Sequence, residues 1–250
     1  MRADQRGAGR LRRALAAGVA LALFAGCGGG DDPAATPPST AEDARDEVRV
    51  AALGDSITAG SPGFDPVPAQ RVRLGFGEDE RSQYGYWAER ADPALDVRNC
   101  GVFGERTDEI ALRLGDCAAD ADVLIVQGGI NDIAQGLGAG GRAGIEAIGA
   151  AAGNLDAMAA QGQRLGLRVA IADVLPWNNG HPLADSAITQ LNKRIADIAR
   201  RRDLTLLRFH DALEDPGNPG LMRPDLTVDG DHPSIAGYEI LGELVATELR

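Results

Sequence analysis

The stretch VRVAALGDSITAG, residues 48–60, decides how the chain is read. Its apolar first half has the composition of a strand, and it stops abruptly at Gly54-Asp55-Ser56, where glycine relieves a tight turn into a helix. Ser56 at that turn has two readings. Its hydroxyl caps the helix by accepting a backbone N–H. Alternatively, it is a nucleophile placed where the positive end of a helix favours a developing anion.

Outward from this stretch, short β-branched runs alternate with longer segments of helical spacing. That alternation is the signature of a parallel sheet covered on both faces. Strands are expected near 48–53, 95–99, 122–127, 167–173 and 204–208. Helices are expected in TDEIALRLG, in the Ala-rich segment 142–164, in ADSAITQLNKRIADIARR and in SIAGYEILGELVATEL. Residues 61–83 are dense in Pro and Gly without periodicity and read as a long loop, functional or mobile. GLGAGG at 136–141 reads as a flexible turn. No internal repeat and no phosphate-binding glycine motif follows a strand.

A net charge of −12 over 250 residues excludes a nucleic-acid reader, which needs a basic face. Positive charge does gather at the start, where Arg2, Arg6, Arg10, Arg12 and Arg13 precede ALAAGVALALFAG. That apolar run is too short to span a bilayer and reads as an export signal over residues 1–26. Its end, LFAGC, is similar to the lipobox of bacterial lipoproteins, with Phe24 where Leu is usual. Cys27 is then expected to be lipidated and to anchor a Gly-, Pro- and Ser-rich tether, residues 27–47; the alternative is an ordinary secretory peptide with a chance cysteine. Export leaves Cys100 and Cys117 as a pair in an oxidising setting, either as a disulfide or as two buried thiols. Residues 48–250 form one α/β domain.

In open parallel sheets ligands gather at the carboxyl ends of the strands, so the polar clusters there carry the functional reading. NCGVFGERT, residues 99–107, has two glycines that let backbone N–H groups approach a ligand. Gly104 is either an oxyanion donor or part of a turn before a helix capped by Thr107. In VLIVQGGINDI, Asn131 is an uncharged donor or a turn residue. In TVDGDHPSIAGY, Asp229 and His232 are three residues apart, which lets the carboxylate meet the imidazole and leave its other nitrogen free as a base.

Taken in order, GDSIT, NCGVFGERT, GIND and DGDHPS resemble the four blocks of the GDSL/SGNH hydrolase family, across roughly residues 48–249. Ile57 replaces the usual Leu after GDS. The resemblance implies a flavodoxin-like three-layer α/β sandwich around a mostly parallel five-stranded sheet. It also implies Ser56 as nucleophile, His232 as base and Asp229 as its orienter, with an oxyanion hole from the N–H groups of Ser56 and Gly104 and the side chain of Asn131.

The neighbouring residues take lesser parts. Asp55 is expected to brace the turn and Asp231 to be solvated. Trp177 and His181 either line the pocket or lie in a surface turn, and His210 is structural. Three scattered His residues without HExxH or CxxC make a metal site improbable, and no cofactor is expected. The expected protein is a monomeric exported serine esterase. It would act on a small-molecule, lipid or carbohydrate ester and touch the membrane only through its N-terminal lipid. Lipase or lysophospholipase specificity, carbohydrate deacetylation and a non-catalytic ligand-binding lipoprotein are the alternatives.

Overall fold

The apolar runs become five strands: β1 (Val48–Gly54), β2 (Leu95–Gly101), β3 (Val123–Val126), β4 (Arg168–Ala172) and β5 (Thr205–Leu207). The computed structural model describes residues 47–139 and 141–250. The expected signal segment, Cys27 and all but the last residue of the expected tether lie outside the described residues. Each strand falls within two residues of its expected limits. The sheet order is β2-β1-β3-β4-β5 with every neighbouring pair parallel, so the expectation of a mostly parallel sheet sharpens to a wholly parallel one. β3 is buried at all four positions, as a strand covered on both faces must be.

The helices are α1 (Ser56–Ala59), α2 (Pro68–Leu74), α3 (Tyr84–Ala91), α4 (Thr107–Leu112), α5 (Leu114–Cys117), α6 (Ile130–Ala139), α7 (Gly141–Arg164), α8 (Asp185–Arg202), α9 (Phe209–Leu213) and α10 (Ile235–Glu248). Side-chain alternation along β1 divides the core in two. Ala51 and Leu53 enter a core with Ile110, Leu114, Leu155, Leu191 and Ile195. Val50 and Ala52 enter the opposite one, with Tyr84, Phe209, Tyr238 and Leu241. Each such buried Leu or Ile contributes about 1.5–3 kcal/mol relative to exposure, so both layers are held by apolar burial.

Three features depart from the sequence reading. The segment 61–83 contains α2, started by Pro68 at its first turn and ended by Gly75 at φ 71°. GLGAGG is not a turn: α6 runs through Ala139, its apolar residues Ile130, Ile133 and Leu137 spaced three and four apart. α3 and α9 carry aromatic residues of modest helix propensity and are helical through packing. Tyr84 and Phe209 are fully buried, their rings edge to face at 5.4 Å.

Candidate active site

The site is assembled at the carboxyl ends of β1, β2 and β3. α1 is a single buried turn whose N-cap is Asp55, not Ser56: the Asp55 carboxylate accepts the Ile57 N–H at 3.0 Å. Ser56 therefore stands one position inside the helix, with its hydroxyl free of capping. The turn is pinned from below by Gln127, just past β3. Its Oε1 accepts the Asp55 N–H at 3.2 Å and the Thr58 hydroxyl at 2.8 Å. Tyr84 lies 3.1 Å from Thr58 and closes this buried chain. Burial pushes the Asp55 carboxyl up to about 6.

His232 reaches Ser56 from a loop before α10 rather than from a strand end, contrary to the sequence reading; this loop is held by a bridge between Thr227 and Pro233. Its Nδ1 lies 2.8 Å from Asp229 Oδ2 and its Nε2 lies 3.1 Å from Ser56 Oγ. A carboxylate only accepts, so Nδ1 donates to Asp229 and Nε2 is left to accept the serine proton. Burial raises the Asp229 carboxyl, but the His232 hydrogen bond and the backbone N–H groups of Asp231 and His232 outweigh it and hold Asp229 below its ordinary value. Asp229 thus stays charged and keeps the imidazole oriented.

The oxyanion candidates come from the loop after β2 and from the first turn of α6. Gly104 has φ 80°, in the turn from Val102 to Glu105; only glycine adopts this readily, and a Cβ would meet no neighbour there. Asn131 donates one amide N–H to the Glu105 carbonyl at 2.8 Å, which leaves its second N–H for another acceptor. The two segments are tied further by Asp132 of α6, which the sequence reading did not single out. Its carboxylate accepts both the backbone N–H and the hydroxyl of Thr107, at 3.0 and 2.8 Å. Thr107 is therefore not the helix cap; Glu109 satisfies the Arg106 N–H there instead. The signal for Asp132 was its place beside Asn131, and for Gln127 a polar residue closing a wholly apolar strand.

Ser56, Gly104, Asn131 and His232 line one cleft of about 130 Å³, with Ile57, Phe103, Ile130 and Ala134 as its apolar wall and Trp177 and Asp231 opposite. Asp231 is not simply solvated, as its sequence context suggested. It accepts Trp177 Nε1 at 2.5 Å and Asn179 Nδ2 at 2.7 Å, which fixes the indole beside the site. Phe103 stacks on the His232 ring at 6.1 Å and meets Phe76 at 5.2 Å, so the segment after α2 is linked to the imidazole through Phe103. His181 lies elsewhere, paired with Asp185 at 2.9 Å, while the backbone of His210 donates to Asp173. Donor atoms of Asp229, Asp231 and His232 lie close enough to hold an ion. His232 Nδ1 is nevertheless committed to Asp229, and one Asp231 oxygen to Trp177 and Asn179. A larger hollow of about 620 Å³ between α7 and α8 contains none of these groups. Cys100 and Cys117 form a disulfide, with Cα atoms 6.0 Å apart.

A wholly parallel sheet covered on both faces, with a Ser–His–Asp hydrogen-bonded line at its carboxyl edge, is the arrangement of a hydrolase site built on a doubly wound α/β sheet. The chain belongs to the GDSL-like lipase/acylhydrolase family, whose model matches residues 52–240. No curated protein matches the sequence. Solved structures share the fold. A lipase/acylhydrolase from Enterococcus faecalis is 22% identical with a TM-score of 0.60, over 81% of this chain and 95% of its own. An acetylxylan esterase from Geobacillus stearothermophilus is 18% identical with a TM-score of 0.63, over 82% and 94%. A GDSL-like lipase from Bacteroides thetaiotaomicron is 22% identical with a TM-score of 0.58, over 80% and 86%.

Proposed function

We propose that the protein is a serine esterase that cleaves short-chain carboxylic esters through an acyl-Ser56 intermediate. The observation that carries this reading is the continuous line from Asp229 through His232 to Ser56, at 2.8 and 3.1 Å. As Ser56 Oγ attacks the acyl carbon, its proton passes to His232 Nε2 while Asp229 balances the charge formed on the ring. The carbonyl oxygen becomes an oxyanion and takes hydrogen bonds from the N–H groups of Ser56 and Gly104 and from the second N–H of Asn131. His232 then returns its proton to the departing alkoxide. A water molecule, deprotonated by the same nitrogen, releases the acid and regenerates Ser56.

A small acyl group is supported by the size of the cleft, about 130 Å³, with Ile130 and Ala134 in its apolar wall. A carbohydrate ester is the second reading. It is favoured by the fixed indole of Trp177, a flat surface for a sugar ring, beside the Asp231 carboxylate, an acceptor for hydroxyls. Residues 1–27 support an exported, lipid-anchored protein, with secretion as the alternative.

The test is turnover of p-nitrophenyl esters from acetate to decanoate. We expect a maximum at two to four carbons, and Ser56→Ala to abolish turnover with unchanged circular dichroism. Turnover retained by Ser56→Ala would overturn the mechanism. A maximum at long chains would favour a lipase, and a wild-type chain inert to a fluorophosphonate probe would favour a non-catalytic binding protein.

A further inference from the structure

Arg113 belongs to none of the four sequence blocks, yet its guanidinium joins the end of β1, which presents the nucleophile, to two points of the stretch 99–107 that carries the oxyanion turn. Nη2 donates to the carbonyl of Gly54, the residue that ends β1 before Asp55-Ser56, at 3.0 Å. Nη1 donates to the Cys100 carbonyl near the end of β2, at 2.5 Å. Nε and Nη2 hold the Glu105 carboxylate at 2.9 and 2.6 Å. Glu105 follows Gly104, and its carbonyl is the acceptor that anchors the Asn131 amide. Every proposed oxyanion donor is therefore one or two residues, or one hydrogen bond, from a group that Arg113 holds.

The residue type suits the task. The Gly54 carbonyl already accepts the Val102 N–H at 3.1 Å and takes Arg113 as a second donor; the planar guanidinium offers five N–H groups in a fixed fork, where an ammonium presents a single compact head. Arg113 is itself held firmly. It lies between α4 and α5, and Cys117, four residues on, is covalently tied to Cys100. The Glu105 carboxylate balances its charge at a half-buried site, where the side chains are 27% and 20% exposed.

We propose that Arg113, with Glu105, is a positioning residue for the oxyanion hole, locking the Gly104 turn and Asn131 in register with Ser56. This inference rests on the serine-esterase reading. Its signature is loss of transition-state stabilisation with substrate binding kept, because a displaced oxyanion donor acts on the charge formed in the reaction rather than on the ground state.

The experiment measures kcat per active site, with sites counted by fluorophosphonate titration, on p-nitrophenyl acetate for wild type, Arg113→Gln, Arg113→Lys, Glu105→Gln and Asn131→Ala. Affinity for phenylboronic acid, which forms an anionic tetrahedral adduct with serine, is measured alongside. Arg113→Gln should lower kcat roughly 10- to 100-fold, the scale of a small misplacement of catalytic groups. KM should change by less than about threefold, and boronate affinity should fall in step with kcat. Arg113→Lys should recover only part of the loss. Combined with Asn131→Ala, the loss should be well below the product of the single losses, since both act on one oxyanion hole.

An unchanged kcat per titrated site in Arg113→Gln, or fully multiplicative losses with Asn131→Ala, would overturn the inference. If Arg113→Gln does not fold, Glu105→Gln decides, because it leaves the two carbonyl bonds of Arg113 in place; an unchanged kcat there also overturns it. A wild-type chain that neither turns over ester nor takes the probe fails the esterase reading itself and removes this inference with it.

Discussion

Asn131 offers two amide hydrogens to two tasks: one goes to the Glu105 carbonyl, and the other is left over at the mouth of the cleft. Because the anchored hydrogen sets the direction of the free one, Asn131→Ala should lower kcat about 100-fold or more with little change in KM, read from steady-state kinetics. Asp173 has a different sensitivity. Burial pushes its carboxyl up to about 7, although it accepts the His210 N–H at 2.7 Å. The folded protein therefore favours the neutral acid, so this group's contribution is full at low pH and is lost as pH rises from its ordinary value of 3.8 through 7. Asp173→Asn keeps an acceptor for His210 without the charge. Urea unfolding should show a stability gain that is small near pH 4 and grows toward pH 8, up to the order of 4 kcal/mol at about 1.4 per pKa unit. A gain independent of pH would contradict the assignment.

At the scale of elements, the Cys100–Cys117 disulfide ties the end of β2 to α5 across a separation of 17 residues. Closing a loop of that size contributes about 3 kcal/mol through the unfolded chain. Replacing both cysteines by serine should lower the denaturant midpoint accordingly, and the drop should match that of the wild type unfolded under reducing conditions. The same elements show where sequence was mute. α2, α3 and α9 are too short for periodicity to separate them from loop, and α6 carries Gly136 and Gly138, each costing about 1 kcal/mol as a helix residue. α3, α9 and α6 depend on what they pack against: Tyr84 and Phe209 on α10, and Ile133 in the core beside α7. Close approach also escapes a linear reading. A Cβ on Gly101 would overlap the backbone of Ala59, so α1 can lie against the end of β2 only because that residue is glycine.

For the whole molecule, both faces of the sheet find their cores within residues 48–250, and every candidate residue of the ester-cleaving site lies there too. A chain beginning at Glu47 should therefore fold with the thermal midpoint of the full chain and hydrolyse p-nitrophenyl acetate with the same kcat/KM; loss of either would assign residues 1–46 a part in the fold or the site. The sequence by itself determined the parallel α/β class, because strand and helix periodicities are local. It also nominated Ser56, Gly104, Asn131, Asp229 and His232 as the candidate set, because the four blocks that resemble the family's are short and ordered. Only the tertiary structure decided that Asp55 rather than Ser56 caps α1, that Asp231 clamps Trp177, that Phe76 reaches Phe103 over His232, and that Arg113 joins the ends of β1 and β2 to Glu105. Those are contacts between residues tens of positions apart, or choices between equally good local hydrogen-bond partners. The parallel packing of β1 to β4 side by side brings the loops that follow those strands to one edge of the sheet, where such contacts form.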